Sequence, residues 1–198
     1  MSNLFVRFLG KSIISLAGWK VDQRLKQDFR RCVMIGAPHT SNWDFPITAA
    51  AFEVMDIPLR FTIKKEWMKP PLGWIMKGLG AIPIDRTPKD TRSQPLSTVE
   101  AMVNLFDNEE ELAVLVTPEG TRSRNEHWKT GFYHVARLAG VPIALSYLDW
   151  AKKEAGIGKV IWPSGDMEKD MKTIMQFYQG ITPRYPEKFS IDVRYKPD

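Results

Sequence analysis

Short apolar runs alternate along the chain with stretches of helical period. CVMIGA at 32–37 predicts a buried strand, because a continuous apolar run of that length suits a strand covered on both faces. WDFPITAAAFEVM at 43–55 predicts a helix whose Pro46 sits in the opening turn, where a missing N–H is tolerated. LRFTIKK (59–65) and AIPID (81–85) predict two more strands on either side of EWMKPPLGWIMKGLG (66–80). From Ser93 to Phe106 the pattern is helical, with Leu96, Val99, Met102, Val103 and Phe106 on one side. An acidic patch, DNEEE, precedes the strand ELAVLVTP (111–118). GFYHVARLAG (131–140) predicts a helix ended by glycine, VPIALSYL (141–148) and KVIWP (159–163) predict strands, and Met167–Tyr178 predicts the last helix. Such alternation predicts a single α/β domain with a largely parallel central sheet flanked by helices. There is no internal repeat, low-complexity tract or linker.

The N-terminal segment has a different pattern. In MSNLFVRFLGKSIISLAGWK, Leu4, Phe5, Phe8, Leu9, Ile13, Leu16 and Trp19 recur at helical spacing, with Arg7, Lys11 and Lys20 between them. This is the pattern of a basic amphipathic helix lying in a membrane interface. A first helix packed on the domain's own core would carry the same stripe. Lys11 divides the segment into pieces too short for a signal peptide's apolar core or a spanning helix, and no other stretch approaches the ~18–20 apolar residues that a span requires. Charge supports the distinction. Residues 1–31 hold seven basic and two acidic side chains, so the whole net charge of +5 resides there and the rest of the chain is neutral. The expected division is a basic membrane-contact segment over 1–31 and a globular domain over 32–198. A second expected membrane contact is 66–80, where tryptophans flanked by lysines suit the headgroup level; a core helix reads the same way.

At 198 residues and 43% hydrophobic composition, the chain is long enough for one domain with a substantial core. Its one cysteine, Cys32, leads an apolar run and excludes a disulfide framework or cysteine metal cluster; a buried structural thiol in a reducing compartment is expected. Three scattered histidines show no metal-ligand spacing. Nucleic-acid binding is disfavoured, because the positive charge is confined to the amphipathic segment and there is no recognisable binding motif.

Candidate chemistry lies in two polar loops that follow apolar runs, where sheets of this class place their sites. The first, APHTSNWD, carries His39 and Asp44. A neutral imidazole can take a proton from a hydroxyl at pH 7, and a carboxylate on its other nitrogen fixes the tautomer and stabilises the imidazolium. The ordinary alternatives are a capping Asp44 and a structural His39 in a turn, and the pair alone favours these. The second loop, TPEGTRSRN, carries Glu119 and Arg122. Tyr133, His134 and His127 could line a cleft, but a core or polar-loop role suits each better.

The order of elements adds to this reading. PHTSNWD, then GAIPIDR (80–86), TPEGTRS (117–123) and VPIAL (141–145), resemble the four sequence blocks of the lysophospholipid acyltransferase family, over about Ala37 to Leu145. KTGF at 129–132 is similar to an element that the family carries after its third block. The resemblance implies that His39 is the general base, Asp44 its orienting acid, and Arg86, Glu119, Gly120, Thr121, Arg122 and Ser123 the acceptor-binding residues. Guanidinium forks and loop N–H groups suit a phosphate. The implied reaction is attack of a lysolipid hydroxyl on the thioester of acyl-CoA or acyl carrier protein, with no cofactor beyond that co-substrate and no metal. The surroundings differ from the family's common pattern at Pro38, where Asn is usual, at Thr117, where Phe is usual, and in VPIAL, which lacks a second proline. These differences bear on the acceptor more than on the reaction.

The expected protein is therefore an acyltransferase domain over 32–198, held peripherally on the cytoplasmic membrane face through residues 1–20 and 66–80, acting on a lysophospholipid. The alternatives are O-acylation of another lyso-lipid, such as an N-acyl amino acid lipid, and a non-catalytic membrane-binding protein.

Overall fold

The structure, a computed structural model, describes residues 4–25, 29–64, 68–70, 72–78, 80–84 and 97–197. Along the chain run α1 (Leu4–Leu16), β1 (Lys20–Asp22), β2 (Arg31–Gly36), α2 (Asp44–Val54), β3 (Leu59–Lys64), α3 (Leu72–Gly78) and β4 (Ala81–Ile84). Then come α4 (Thr98–Asn108), β5 (Leu112–Val116), α5 (Gly131–Ala139), β6 (Ile143–Asp149), β7 (Glu154–Ile161) and α6 (Met167–Gln179), followed by short 3-10 turns at Pro186–Lys188 and Val193–Tyr195. The strands join in one sheet of order β1-β7-β6-β2-β5-β3-β4. Every pairing is parallel except β6 with β7, which form an antiparallel hairpin. This is the α/β domain with a largely parallel sheet that the alternation predicts.

The central strands are apolar on both faces because both faces are covered. Alternate residues point to opposite sides. Val33, Ile35, Val114, Ile143 and Leu145 pack with Phe106, Phe132, Val135, Ile174 and Tyr178 from α4, α5 and α6. Cys32, Met34, Ala113 and Ala144 pack on the other face with Phe52 of α2, Phe29 and Ile57. Cys32 is the buried thiol that its apolar setting predicts, with its Sγ 3.2 Å from the Phe29 carbonyl oxygen. Local signals mark the helix ends. Ser97 and Glu100 exchange hydrogen bonds at the start of α4, and Gly140 adopts a left-handed conformation (φ 62°) after α5.

The N-terminal segment is divided between two roles. Helix α1 packs on α2: a Cβ at Gly10 would lie 3.1 Å from the Ala50 carbonyl oxygen, and Ile14 is buried with Ile47, Ala50 and Ala51. Among the described side chains of α1, Phe8, Leu9, Ile13 and Leu16 remain exposed. After α1 the chain enters the sheet as β1, so part of residues 1–31 belongs to the sheet's edge. The Asp22 carboxylate fixes that edge. It takes two hydrogen bonds from the Arg24 guanidinium, which hold it down to about 2 against the opposing effect of burial, and a third from the Tyr147 hydroxyl.

The strand expected at 159–163 begins earlier, at Glu154. Gly156 and Gly158 conceal its first half, because glycine carries no hydrophobic signal and in a strand marks a close approach. A Cβ at Gly156 would lie 2.7 Å from the Asp22 carbonyl oxygen, and one at Gly158 would lie 2.5 Å from the Phe177 ring. In 66–80 the chain forms α3, with Trp74 largely exposed. Residues 93–96 of the expected fourth helix lie outside the described residues. No helix among those described is long and apolar enough to cross a membrane.

Because β2, β3, β4, β5 and β6 run in one direction, their carboxyl ends share one edge of the sheet. Substituting Gly156→Ala should strain the β1–β7 pairing against backbone atoms and cost about 1–3 kcal/mol. Chemical denaturation measures this, and an unchanged midpoint would contradict the assigned packing.

Candidate functional site

The loop after β2 folds back onto the first residue of α2. Asp44 Oδ2 accepts the backbone N–H groups of Thr40 (2.9 Å) and Ser41 (2.8 Å), and the Ser41 hydroxyl oxygen accepts the N–H of Trp43. His39 Nδ1 lies 3.4 Å from the same Asp44 oxygen. The Asp44 carboxylate is only 4% exposed, whereas about a fifth of the His39 side chain reaches solvent. Asp44 therefore does not cap α2, whose N-cap is Trp43 with no side-chain cap hydrogen bond; it locks the loop ahead of the helix and also faces the imidazole. The other carboxylate oxygen, Oδ1, accepts the indole N–H of Trp150 at 3.1 Å.

The loop after β5 meets this one because β2 and β5 are neighbours. Glu119 turns inward, and its two oxygens lie 3.1 and 3.0 Å from the backbone nitrogen of His39, whose N–H they accept. The Glu119 backbone is held in turn, since its carbonyl accepts a hydrogen bond from the Asn125 side chain. Gly120 follows with φ +70°, a conformation glycine adopts freely, and a Cβ there would also meet the Lys129 side chain at 2.9 Å. Thr121, Arg122 and Ser123 are exposed beyond that turn, and Arg122 has no ion-pair partner among the described residues. The expected binding loop thus splits: one carboxylate clamps the histidine's backbone, and the next four residues lie toward solvent. Arg86 lies outside the described residues.

A narrow cavity of about 50 Å³ runs inward beside His39, between α2 and the sheet, past Gly36, Phe45, Thr48, Phe52 and Leu148. Of the secondary candidates, Tyr133 is buried and donates to Asp170, and His127 is an exposed loop residue. No group of three or more His, Cys, Asp or Glu among the described residues could hold a metal ion.

Several contributors have no sequence signal. Trp150 is separated from Asp44 by 106 positions. Tyr185 donates its N–H to the Thr40 hydroxyl from 145 positions away. The buried Tyr178 hydroxyl lies 3.0 Å from both the Ile35 and Ser146 carbonyls, joining β2 to β6 just below the loop.

Burial pushes the Glu119 carboxyl up to about 8; the His39 N–H opposes this and the nearby Asp44 charge adds to it. Between the ordinary value of 4.5 and about 8, the folded chain keeps a proton that the unfolded chain releases. The resulting stability is fully present below about 4.5 and is lost as pH rises through about 8. Glu119→Gln keeps an acceptor oxygen but cannot titrate. The denaturation midpoint of the wild type should therefore fall more steeply across this window than that of the variant. Equal slopes would contradict the buried, proton-holding Glu119.

A family model described as Acyltransferase matches residues 21–147, more than half of the chain. The 1-acyl-sn-glycerol-3-phosphate acyltransferase of Haemophilus influenzae is 31% identical over 149 residues, covering 71% of this chain and 58% of that protein. The proteins of the same name from Salmonella typhimurium and Escherichia coli are 35% and 33% identical over 136 residues, covering 65% of this chain and 52% of each. The chain thus spans little more than half the length of these curated relatives. No solved structure matches it significantly. With the matched region carrying both loops to one edge of the sheet, the chain belongs to the lysophospholipid acyltransferase family.

Proposed function

We propose that this protein transfers a fatty acyl group from the thioester of acyl-CoA or acyl carrier protein to the free hydroxyl of a lysophospholipid of the 1-acylglycerol-3-phosphate type. The observation that carries the reading is His39 Nδ1 at 3.4 Å from a buried Asp44 carboxylate, in a loop clamped by Glu119. With Nδ1 turned to Asp44, Nε2 is the ring nitrogen left for substrate. It takes the proton of the acceptor hydroxyl as that oxygen attacks the thioester carbonyl, and Asp44 stabilises the imidazolium. Collapse of the tetrahedral intermediate breaks the C–S bond, and the imidazolium returns its proton to the departing thiolate. The names of the relatives support the glycerol-phosphate acceptor.

Substrate recognition falls to the exposed part of the second loop. Arg122 offers a planar fork for a phosphate, with Thr121 and Ser123 hydroxyls beside it, and the sequence blocks assign Arg86 the same role. Within this loop the Gly120 and Ser123 N–H groups are already spent, on the Thr117 carbonyl and the Thr121 hydroxyl. The amides of Thr121 and Arg122 are accordingly the loop's candidate donors to the thioester oxyanion.

The acceptor's acyl chain leaves a bilayer only at ~0.8 kcal/mol per methylene, so the enzyme must come to the lipid. The exposed face of α1, Phe8, Leu9, Ile13 and Leu16, supplies a peripheral contact for the cytoplasmic membrane face, each side chain contributing about 1.5–3 kcal/mol when fully buried. Exposed Trp43, beside the His39 loop, and Trp74 of α3 suit the interface as well.

Mass spectrometry of lipid products tests the reaction, with wild type and His39→Ala incubated with each acyl donor and a panel of lyso-acceptors. The expected result is an acylated glycerol phosphate from wild type and a loss of at least about a hundredfold in the variant. Product only from an N-acyl amino acid lipid would move the acceptor to the hydroxyl of a lipid whose headgroup is a carboxylate. Equal product from both proteins would remove His39 from the chemistry. Membrane contact has a separate test. Phe8→Glu with Ile13→Glu should abolish flotation with anionic liposomes while leaving the fold intact, and unaltered flotation would exclude this face.

A further inference from the structure

Asp44 has two oxygens with different work to do. Oδ2 faces His39 and accepts the Thr40 and Ser41 amides, whereas Oδ1 accepts the indole N–H of Trp150 at 3.1 Å. Trp150 opens the turn between β6 and β7 and is held on several sides. Its backbone N–H donates to the Thr182 carbonyl at 2.8 Å. Its ring meets Trp19 edge-on, with centroids 5.0 Å apart and planes at 89°, and Trp19 is itself buried between α1 and β1. The Arg184 guanidinium lies over the ring, 4.7 Å from the centroid.

We propose that Trp150 is a positioning residue for acyl transfer: its N–H pins Asp44 Oδ1 so that Oδ2 stays turned to His39. The inference rests on the reading of His39 as the base. Rotation about the Cβ–Cγ bond carries both oxygens, so the indole bond at Oδ1 and the amide bonds at Oδ2 restrain the same torsion from opposite sides. The choice of side chain also matters. Indole is a donor with no acceptor and no charge, so it orients the carboxylate and leaves the full negative charge to stabilise the imidazolium. A lysine or arginine in that place would compete with the imidazolium for the same charge. Trp19 and Arg184 flank the Trp150 ring, keeping it where its N–H can reach.

The test is steady-state kinetics on the full chain, with wild type, Trp150→Phe, Asp44→Asn and the double variant, using an acyl thioester and 1-acylglycerol-3-phosphate in mixed micelles. Trp150→Phe should lower kcat by about ten- to a hundredfold, with KM for both substrates unchanged. In the Asp44→Asn background the same change should cost little further, because the negative charge that the indole positions is already gone. A second variant guards against lost packing: 3-benzothienylalanine at position 150 keeps the ring's volume and replaces only the N–H with sulfur. It should reproduce the fall in kcat. Wild-type kcat in either position-150 variant, or an equal loss with and without Asp44, would overturn the assignment. A wild-type rate in Asp44→Asn itself would instead overturn the His39–Asp44 reading on which it rests.

Discussion

A carboxylate taken out of water must have its charge met by donors, and the site is organised around how Asp44 meets that requirement. Two backbone amides from its own loop, the imidazole of His39 and the indole of Trp150 surround it. The amides determine the course of the chain from β2 into α2, so the loop's shape and the imidazole's orientation follow from one buried anion. Such an arrangement is costly to leave incomplete, since an unpaired charge at this depth is strongly disfavoured. Each donor is consequently held by structure of its own.

The second carboxylate acts by a different route. Glu119 does not reach the imidazole but the backbone beneath it, and it can do so only because β2 and β5 lie side by side and end together. Parallel pairing converts a sequence separation of 80 residues into a single hydrogen bond. The burial that makes this contact rigid also raises the carboxyl's proton affinity. The second loop is therefore anchored at its base, against the His39 backbone, and exposed at its tip, where Thr121, Arg122 and Ser123 reach solvent.

Helix α1 serves two surfaces at once. Gly10 and Ile14 form a thin stripe that fits against α2, with glycine allowing the backbones to approach closely, while the broader apolar face looks outward. The same helix leads to Trp19, and Trp19 touches Trp150. The helix with the exposed apolar face is thus one aromatic contact from the residue that holds Asp44.

Much of this was legible in the residues themselves. Cys32–Ile35 and Leu112–Val116 read as strands because central strands of a parallel sheet are apolar on both faces. His39, Asp44 and Glu119 drew notice because each occupies a polar loop directly after such a run. Other features had no local trace. A strand as short as β1 shows no period, and the glycines of β7 erase the hydrophobic signal while permitting the close contacts that make it a strand. The sequence by itself determined the central strands, most of the helices and which loops carry titratable groups, because burial and period act over neighbouring residues. Only the tertiary structure decided that Glu119 points inward at a backbone, that α1 buries its glycine side, and that Trp150 completes the coordination of Asp44, because those are contacts between segments whose meeting depends on the order of strands in the sheet.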